Sequence, residues 1–208
     1  MDMKPEKKRI SDKSAGKLPS CRRALSLLAA VGGAALMFCS CGTADAAEVP
    51  EADYSADNEF MQIAIDEARE GIYNNHGGPF GSVIVMDGEI IGQGHNMVLE
   101  NTDSTAHGEV SAIRDAEANI GSHDLSGAVL YTTGEPCPMC LAACMWANID
   151  KVYYGCTIED NAIIGFRDEA FDSMFGGREA FADYLEELDR DACLKLFDEY
   201  VKLDRERY

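Results

Sequence analysis

The sequence predicts an α/β fold in which helices flank a central sheet. Two observations carry this prediction. From about Asp57 onward, segments with helical spacing of apolar residues alternate with short strand-like apolar runs. The dipeptide Asp87-Gly88, a typical two-residue hairpin turn, joins two of those runs and predicts an antiparallel pair of strands. A chain of 208 residues with 46% hydrophobic content fits one well-buried domain.

The first elements of the predicted domain are a helix and a hairpin. Apolar residues recur at helical spacing at Phe60, Ile63, Ala64, Ala68 and Ile72. This helix should end near Asn74-Asn75 and Gly77-Gly78, because Asn and Gly commonly terminate helices. The hairpin follows, with strands at Ser82–Met86 and Glu89–Gly92.

The second half of the domain continues the alternation. A helix is predicted from about His107 to Asn119, a strand from Ala128 to Thr132, a helix from Pro138 to Ala147 and a strand from Lys151 to Tyr154. The tail from Arg178 to Arg205 carries apolar residues at helical spacing and predicts one or two closing helices. A sandwich with one central sheet accommodates these elements.

The N-terminal segment, residues 1–41, resembles an export signal. It holds eight Lys and Arg residues, followed by an apolar run of about 15 residues from Ala24 to Phe38, which is short for a membrane span. Arg22-Arg23 fits a twin-arginine signal or an ordinary basic leader. Processing by lipidation at Cys41 and cleavage after Ala44-Asp45-Ala46 both remain open. We therefore expect a protein of the cell envelope, with a cytoplasmic location as the alternative.

The rest of the chain is strongly acidic. Residues 42–56 are rich in Ala, Glu and Asp and predict a flexible linker, and residues 57–208 form the predicted domain. From Gly42 on, the chain has ten basic and 34 acidic residues, which gives a formal charge of −24. A domain that binds nucleic acid normally carries a basic surface. We therefore expect no nucleic-acid partner.

Two short motifs about thirty residues apart predict a catalytic zinc site. His107-Gly108-Glu109 is an H-x-E motif, and Pro136-Cys137-Pro138-Met139-Cys140 is a P-C-x-x-C motif. Together they form the pattern of the zinc deaminases. Pro138 suits the first turn of a helix, so Cys137 and Cys140 should lie on one face of it and bind as thiolates.

The chemistry expected of this site divides the motif residues into two roles. His107, Cys137 and Cys140 supply three zinc ligands and leave the fourth position to water, as a catalytic zinc requires. Glu109 is the expected proton shuttle, which takes a proton from the attacking water and delivers protons to the ring nitrogen and the leaving ammonia. A structural zinc with Cys144 or Cys156 as fourth ligand is the alternative, although packing in the core is favoured for Cys144, Cys156 and Cys193.

With these motifs, the sequence resembles the cytidine deaminase-like zinc enzymes, and in particular the bacterial guanine deaminases. The resemblance runs from about Phe60 to Tyr208. Beyond the metal motifs it rests on the following segments: Gly77-Gly78-Pro79-Phe80-Gly81, Gly94-His95-Asn96, Ala112-Ile113-Arg114, Leu130-Tyr131-Thr132, Trp146-Ala147 and Gly165-Phe166-Arg167-Asp168. It implies a mixed five-stranded sheet between helices, one zinc ion held at two helix N-termini, and a homodimer.

The resemblance also implies which residues contact the substrate. Asn96 would hydrogen-bond the base, Phe80 and Trp146 would line the pocket, and Asp168 would read the purine edge. The C-terminal segment with Tyr208 would close over the site. Each residue has a purely structural alternative: core packing for Phe80 and Trp146, a strand-end cap for Asn96, a helix start for Asp168 and a frayed terminus for Tyr208.

Guanine, hydrolysed to xanthine and ammonia, is the substrate that this resemblance implies. Gly108 departs from the Ala that is usual in guanine deaminases and matches the form found in fungal cytosine deaminases, so cytosine or another amino-heterocycle is the alternative. Its backbone would contribute to the pocket. Arg167 and the export leader depart from the pattern as well. A tRNA adenosine deaminase shares both motifs but conflicts with the acidic charge. A silent zinc-stabilised binding protein is the non-enzymatic alternative.

Overall fold

A five-stranded sheet forms the centre of the computed structural model, which describes residues 48–172 and 181–205. Its strands are β1 (Gly81–Met86), β2 (Glu89–His95), β3 (Ala128–Gly134), β4 (Lys151–Cys156) and β5 (Leu185–Glu187). They lie in the order β2-β1-β3-β4-β5. β1 is antiparallel to β2 and β3, whereas β3, β4 and β5 run parallel to one another. The predicted mixed five-stranded sheet is therefore confirmed.

The helices of the described residues connect these strands and cover the sheet. Their bounds are α1 (Glu59–Tyr73), α2 (Val98–Asn101), α3 (Gly108–Ile120), α4 (Pro138–Trp146), α5 (Ile158–Ile163), α6 (Asp168–Asp172) and α7 (Arg190–Lys202). The predicted helices α1, α3 and α4 agree with the structure to within about two residues. The short helices α2, α5 and α6 carry too few residues for a readable period and were not predicted.

Two hydrophobic clusters make the three layers. On one face of the sheet, α1 and α7 bury Ile65 and Phe197 against Val83 of β1. On the other face, residues of α3 and α4 pack against Ile84 of β1 and Leu130 of β3. Because successive side chains of a strand point to opposite faces, Val83 and Ile84 enter different clusters.

Asparagine residues lie at both ends of helix α1 and set its bounds. The Asn58 side chain accepts hydrogen bonds from the backbone N–H groups of Phe60 and Met61, at 2.9 and 3.0 Å, and so caps the first turn. At the other end, Asn74 closes the helix and Asn75 adopts a left-handed conformation with φ of 60°. The sequence predicted the end of the helix near Asn74-Asn75, and the structure adds Asn58 as the residue that caps its start.

A half-buried charge cluster joins α1 to α7 and to the segment before α1. Glu199 of α7 accepts hydrogen bonds from Arg69 at 3.1 Å and from the hydroxyl groups of Tyr54 and Tyr73, both at 2.6 Å. The guanidinium of Arg69 also donates to the carbonyl of Pro50. Residues 48–56, the described part of the predicted linker, therefore lie against the domain.

The C-terminal tail differs from the prediction of closing helices over 178–205. Leu185 lies in the three-residue strand β5, and within the described residues 181–205 the closing α-helix is Arg190–Lys202. Three residues are too few for strand periodicity, and β5 depends on distant hydrogen bonds to β4 instead. Arg190 at the start of α7 donates two hydrogen bonds, of 2.8 and 2.7 Å, to Asp160 of α5.

Several predicted features lie outside the described residues. These are the export signal at 1–41 with Cys41, the first residues of the linker, and Tyr208. Among the residues that the structure does describe, none of the helices has the length and apolar character needed to cross a membrane.

Candidate metal centre and substrate cavity

His107 is positioned by the start of helix α3. It is the N-cap residue, in an extended conformation just before Gly108, and its ring is half-buried. Its Nδ1 atom lies 3.5 Å from the sulfur of Cys140 and 3.7 Å from the sulfur of Cys137. The same nitrogen therefore faces both thiols, as a shared metal ion would require.

The two cysteines come from the first turn of helix α4. Cys137 is its N-cap residue, Pro138 occupies the first helical position and Cys140 follows one turn later, so both sulfurs face His107. The ligand atoms of His107, Cys137 and Cys140 all lie within 4.8 Å of one another. One imidazole nitrogen and two sulfurs are the donors that zinc prefers, and this set fits a three-ligand catalytic site.

The two thiols differ in their readiness to ionise. A hydrogen bond from Cys140 and the contact with His107 together lower the pKa of Cys137 to about 4, although burial opposes both effects. The same hydrogen bond and burial raise the pKa of Cys140 well above its usual value. Cys137 is therefore ionised near neutral pH, whereas Cys140 loses its proton only when a cation binds.

The remaining cysteines do not extend this group. Cys144 lies one turn beyond Cys140 but packs in the cluster between α3, α4 and the sheet, and burial raises its pKa. Cys156 and Cys193 are buried in the opposite cluster. Among the described residues, only His107, Cys137 and Cys140 come together as possible metal ligands, so no fourth protein ligand supports a structural site.

Glu109 lies two residues beyond His107, in the first turn of α3. It is 5% exposed, and its carboxyl group interacts with the Cys140 thiol and with His107. Burial, aided by the negative charge of Cys137, raises the pKa of Glu109 to about 7. A buried carboxyl group beside the ligands, with a pKa near neutrality, suits a group that takes up and releases a proton.

A cavity of about 620 Å³ opens onto the metal ligands. The cavity lies between the segment before α3, the N-terminal part of α4 and the segment that leads into α6. Its lining residues are Ser104, His107, Cys137, Pro138, Met139, Ala142, Phe166, Arg167, Asp168 and Phe171. The volume is in the range of small-molecule pockets. A ligand as small as a nucleobase can therefore reach the zinc ligands here.

Asp168 is the carboxylate of this cavity, as the resemblance implied. It begins helix α6, and one of its oxygens accepts a hydrogen bond of 3.2 Å from the side-chain amide of Asn161. Asn161 is fully buried and also donates to the backbone carbonyl of Glu135, two residues before Cys137. The cavity thus has an acceptor on the side contributed by α6.

Asn96 and Phe80 lie deeper than the cavity walls. Asn96 is fully buried, its Oδ1 atom accepts from the backbone of Val98 at 3.2 Å, and its Nδ2 atom has no hydrogen-bond partner. Phe80 packs edge-on against Phe166, with ring centroids 4.8 Å apart. Phe80 therefore supports the aromatic side chain that lines the cavity, whereas Asn96 keeps a free donor.

Gly108 is at a point of close backbone approach. A side-chain Cβ at this position would lie 2.7 Å from the carbonyl oxygen of Phe80, well inside normal contact distance. Glycine therefore lets the chain before β1 approach the start of the metal-binding helix. The structure explains the departure from alanine sterically.

Trp146 lies apart from the cavity. It is the last residue of α4 and 83% exposed, and it borders a separate hollow with Val110, Ile113 and His123. Because α4 runs away from the metal ligands at its first turn, its last residue is carried away from the cavity. Within one chain, Trp146 is therefore not a pocket residue, contrary to the expectation from the resemblance.

Some lining residues were absent from the sequence-based site. Met139 and Ala142 lie beside the zinc cysteines on α4 and line the cavity. Ser104 lies in the loop before α3, and Phe171 lies in the short helix α6. Phe166 was part of the resemblance but had no predicted role. Their common signal is proximity to the motifs, since each lies within four residues of His107, Cys140 or Asp168.

Comparison with known proteins supports this site. Residues 54–156 match the family model of the cytidine and deoxycytidylate deaminase zinc-binding region. The chain is 48% identical over 109 residues to guanine deaminase of Bacillus subtilis, covering 52% of this chain and 70% of that protein. The crystal structure of that enzyme superposes with a TM-score of 0.52 at 47% identity, over 53% of this chain and 70% of the other.

Two further relatives are a tRNA deaminase and a second guanine deaminase. A tRNA-specific adenosine deaminase of Agrobacterium fabrum is 44% identical over 96 residues, which span 46% of this chain and 62% of that protein. The structure of a guanine deaminase from Nitrosomonas europaea matches with a TM-score of 0.58 and 27% identity, over 71% of this chain and 85% of that one. The relatives named here are all deaminases, and they differ in the substrate that their names give.

Proposed function

Since the chain belongs to the cytidine and deoxycytidylate deaminase family of zinc enzymes, we propose that it hydrolyses the exocyclic amine of guanine, giving xanthine and ammonia. The reaction class and the zinc requirement follow from the family. The choice of guanine rests on one observation above all. The carboxylate of Asp168 lies in the same cavity as the ligands His107 and Cys137.

The chemistry assigns separate tasks to zinc and to the protein. His107, Cys137 and Cys140 would hold the zinc ion, which would lower the pKa of a water molecule so that the water could act as a nucleophile. Glu109 is placed to take up a proton from the attacking water and to deliver protons to the ring nitrogen and to the departing amine. Its burial excludes bulk water from these transfers.

The polar groups around the cavity complement guanine. A carboxylate only accepts hydrogen bonds, and guanine offers two adjacent donors, N1–H and the 2-amino group, on one edge. Asp168 fits that edge, held from behind by Asn161. The unpartnered Nδ2 donor of Asn96 fits an acceptor of the base, because a buried donor without a partner is costly unless a ligand supplies one.

The charge of the domain favours a free base over RNA. A body with a formal charge of −24 repels the phosphate backbone, and binding of RNA normally requires several basic contacts. The similarity to tRNA deaminases is therefore attributed to the shared zinc chemistry.

Cytosine is a second candidate, favoured by one residue. Gly108 matches the form found in fungal cytosine deaminases, and its backbone lies against Phe80 near the metal-binding helix. A smaller base would need less of the cavity and would leave Asp168 without its two donors.

A substrate panel tests the proposal. The full-length, zinc-loaded protein is assayed for ammonia release from guanine, cytosine, adenine, their nucleosides and a tRNA. Guanine should be the best substrate, and Asp168→Asn should raise the KM for guanine more than tenfold, because the amide presents one acceptor in place of two. Preferred turnover of cytosine or of the tRNA would refute the guanine assignment, and zinc binding without any turnover would favour the silent binding protein.

The same proposal includes a homodimer. Trp146 and Met145 at the end of α4 are 83% and 53% exposed, and neighbouring exposed apolar side chains often mark an interface. Light scattering should give twice the monomer mass for the native protein, and Trp146→Ser should lower it. A native monomer at micromolar concentration would contradict this part.

A further inference from the structure

Three side chains outside the cavity form a continuous hydrogen-bonded array. The Nδ1 atom of His95, at the end of β2, lies 2.9 Å from Oε2 of Glu67 on α1. The Nε2 atom of the same ring lies 2.9 Å from Nδ1 of His76, in the loop after α1. Glu67 and His95 are only 14% and 11% exposed. The array joins the end of β2 to α1 and to the loop that follows α1.

The chemistry of the three groups fixes the direction of these hydrogen bonds. An ionised carboxylate only accepts, so Nδ1 of His95 must carry the proton that faces Glu67. When the His95 ring carries one proton, its Nε2 atom accepts a hydrogen bond from the Nδ1–H group of His76. In that state Glu67 sets the tautomers of both histidines.

Close packing restricts the array further. A Cβ atom at Gly71 of α1 would lie 2.7 Å from Cδ2 of His95, so the helix leaves this ring little freedom. The backbone of His76 is also tied on both sides, because its N–H donates to Gly71 and its carbonyl accepts from Leu99. The loop that holds His76 is therefore anchored to α1, β2 and α2.

Both histidines directly precede two residues that contact each other, one of them the buried Asn96. Gly77 follows His76, and Asn96 follows His95. The two residues touch: a Cβ at Gly77 would lie 2.0 Å from Oδ1 of Asn96. That contact and the hydrogen bond from Val98 direct Oδ1 of Asn96, and so leave its Nδ2 donor unpartnered.

We propose that Glu67, His95 and His76 are positioning residues that orient the Asn96 amide for the base. The proposal rests on the proposed function in taking Asn96 as a substrate contact. The bond between the two histidines helps to hold the Gly77 peptide against the Asn96 amide. Loss of this bond removes the link between the loop and β2, and the Asn96 donor loses its fixed direction.

Variants of His76 separate the hydrogen bond from simple packing. His76→Phe keeps a planar ring but removes the donor. His76→Asn places an amide N–H near the position of Nδ1 and should restore the bond to His95. Gln93→Ala is the matched control, because Gln93 donates at 2.8 Å to the other oxygen of Glu67 without belonging to the array.

The kinetic effect should fall on binding. In His76→Phe the KM for guanine should rise about tenfold, as expected for loss of a well-oriented hydrogen bond, while kcat stays within about twofold. His76→Asn and Gln93→Ala should stay within about threefold of the native KM. Zinc content and Tm, measured on every variant, show that each one folds.

Nuclear magnetic resonance tests the orientation without substrate. In the full-length zinc protein, the side-chain amide signal of Asn96 is assigned by its absence in Asn96→Asp. It should shift in His76→Phe and keep its position in His76→Asn and Gln93→Ala. Imidazole ¹⁵N shifts should show a protonated Nδ1 in His95.

The outcomes separate the inference from the proposed function. An unmoved Asn96 amide in folded His76→Phe, or a His95 ring protonated only at Nε2, would overturn the positioning role. If the native protein does not deaminate guanine, the proposed function fails, while the resonance measurements still decide whether the array orients Asn96. A tenfold loss of kcat at native KM in His76→Phe would also count against the inference.

Discussion

At the scale of single residues, the site depends on a few positions that permit only one side chain. Gly108 brings the backbone of Phe80 against the first turn of α3, where a methyl group would lie 2.7 Å from a carbonyl oxygen. Cys140 and His107 approach to 3.5 Å because each stands at a helix start. These contacts are short because small or specific residues occupy them.

Replacement of Gly108 by alanine should destabilise the fold. The new methyl group overlaps the Phe80 carbonyl, and overpacking of this kind typically costs about 1–3 kcal/mol. Urea unfolding should show this loss for Gly108→Ala, whereas Ser111→Ala on the same helix should change stability by less than about 0.5 kcal/mol. Equal stability of Gly108→Ala and the native protein would show that the chain before β1 can move aside.

The two cysteines of α4 should differ in their effect on zinc. Cys140→Ser removes a sulfur from the ligand group and should leave less than about a tenth of the protein loaded, because a lost ligand weakens binding by well over tenfold. Cys144→Ser, one turn further on the same helix, should retain one zinc per chain. Metal analysis after dialysis distinguishes the two, and loss of zinc in Cys144→Ser alone would contradict the assignment.

At the scale of secondary-structure elements, α1 and α7 cover one face of the sheet and are held together by Glu199. Burial opposes ionisation of this carboxyl group, but hydrogen bonds from Arg69, Tyr54 and Tyr73 outweigh it and lower its pKa. A carboxyl group with a lowered pKa in the folded state stabilises that state above its unfolded pKa. The stabilisation is lost as the pH falls through the folded pKa.

Glu199→Gln should therefore change the pH dependence of stability. At pH 7 it should lower the free energy of unfolding by about 2–4 kcal/mol, because Arg69, with only 7% of its side chain exposed, loses its charged partner. The difference from the native protein should shrink as the pH falls below the ordinary pKa of a glutamate and through the lowered pKa of the native Glu199 carboxyl group. Asp198→Asn, its exposed neighbour, is the control, and a pH-independent difference would refute this explanation.

The elements that the sequence predicted are those whose signals are local. The Asp87-Gly88 turn and the apolar period of α1 are patterns of neighbouring residues, and the structure agrees with them. Strand β5 is different, because three residues form it only through pairing with β4. Leu185 therefore looked like part of a helix.

The zinc ligands could be predicted because their residue types are specific, whereas the cavity could not. His107, Cys137 and Cys140 carry motif spacing, and the structure brings all three together. The place of Trp146 depends on the direction of α4, which no local pattern encodes. Likewise, the Glu67–His95–His76 array joins residues from three elements, and only the folded chain shows it.

At the scale of the whole molecule, an acidic deaminase domain follows a proposed export signal. Residues 1–41 carry eight basic residues and an apolar run, whereas the rest of the chain has a formal charge of −24. We propose that the domain acts on free bases outside the cytoplasm, where its charge disfavours RNA.

Processing of the N-terminus tests this location. Mass spectrometry of the protein purified from its native cells should find the chain beginning at Cys41 with a lipid adduct, or at Ala47 after cleavage following Ala46. Cell fractionation should place it in the envelope. An intact N-terminus in the cytoplasmic fraction would contradict the proposal, with no consequence for the chemistry of the domain.

The most direct test of the central claim is ammonia release from guanine by the zinc-loaded protein and by two variants of α3. Glu109→Gln removes the buried proton shuttle, and Glu117→Gln changes a carboxyl group two turns further along the same helix. The native protein and Glu117→Gln should each release one ammonia per xanthine, at similar rates. The rate of Glu109→Gln should be lower by at least about a hundredfold. Undiminished turnover in Glu109→Gln, or no turnover of guanine by the zinc-loaded native protein, would contradict the account.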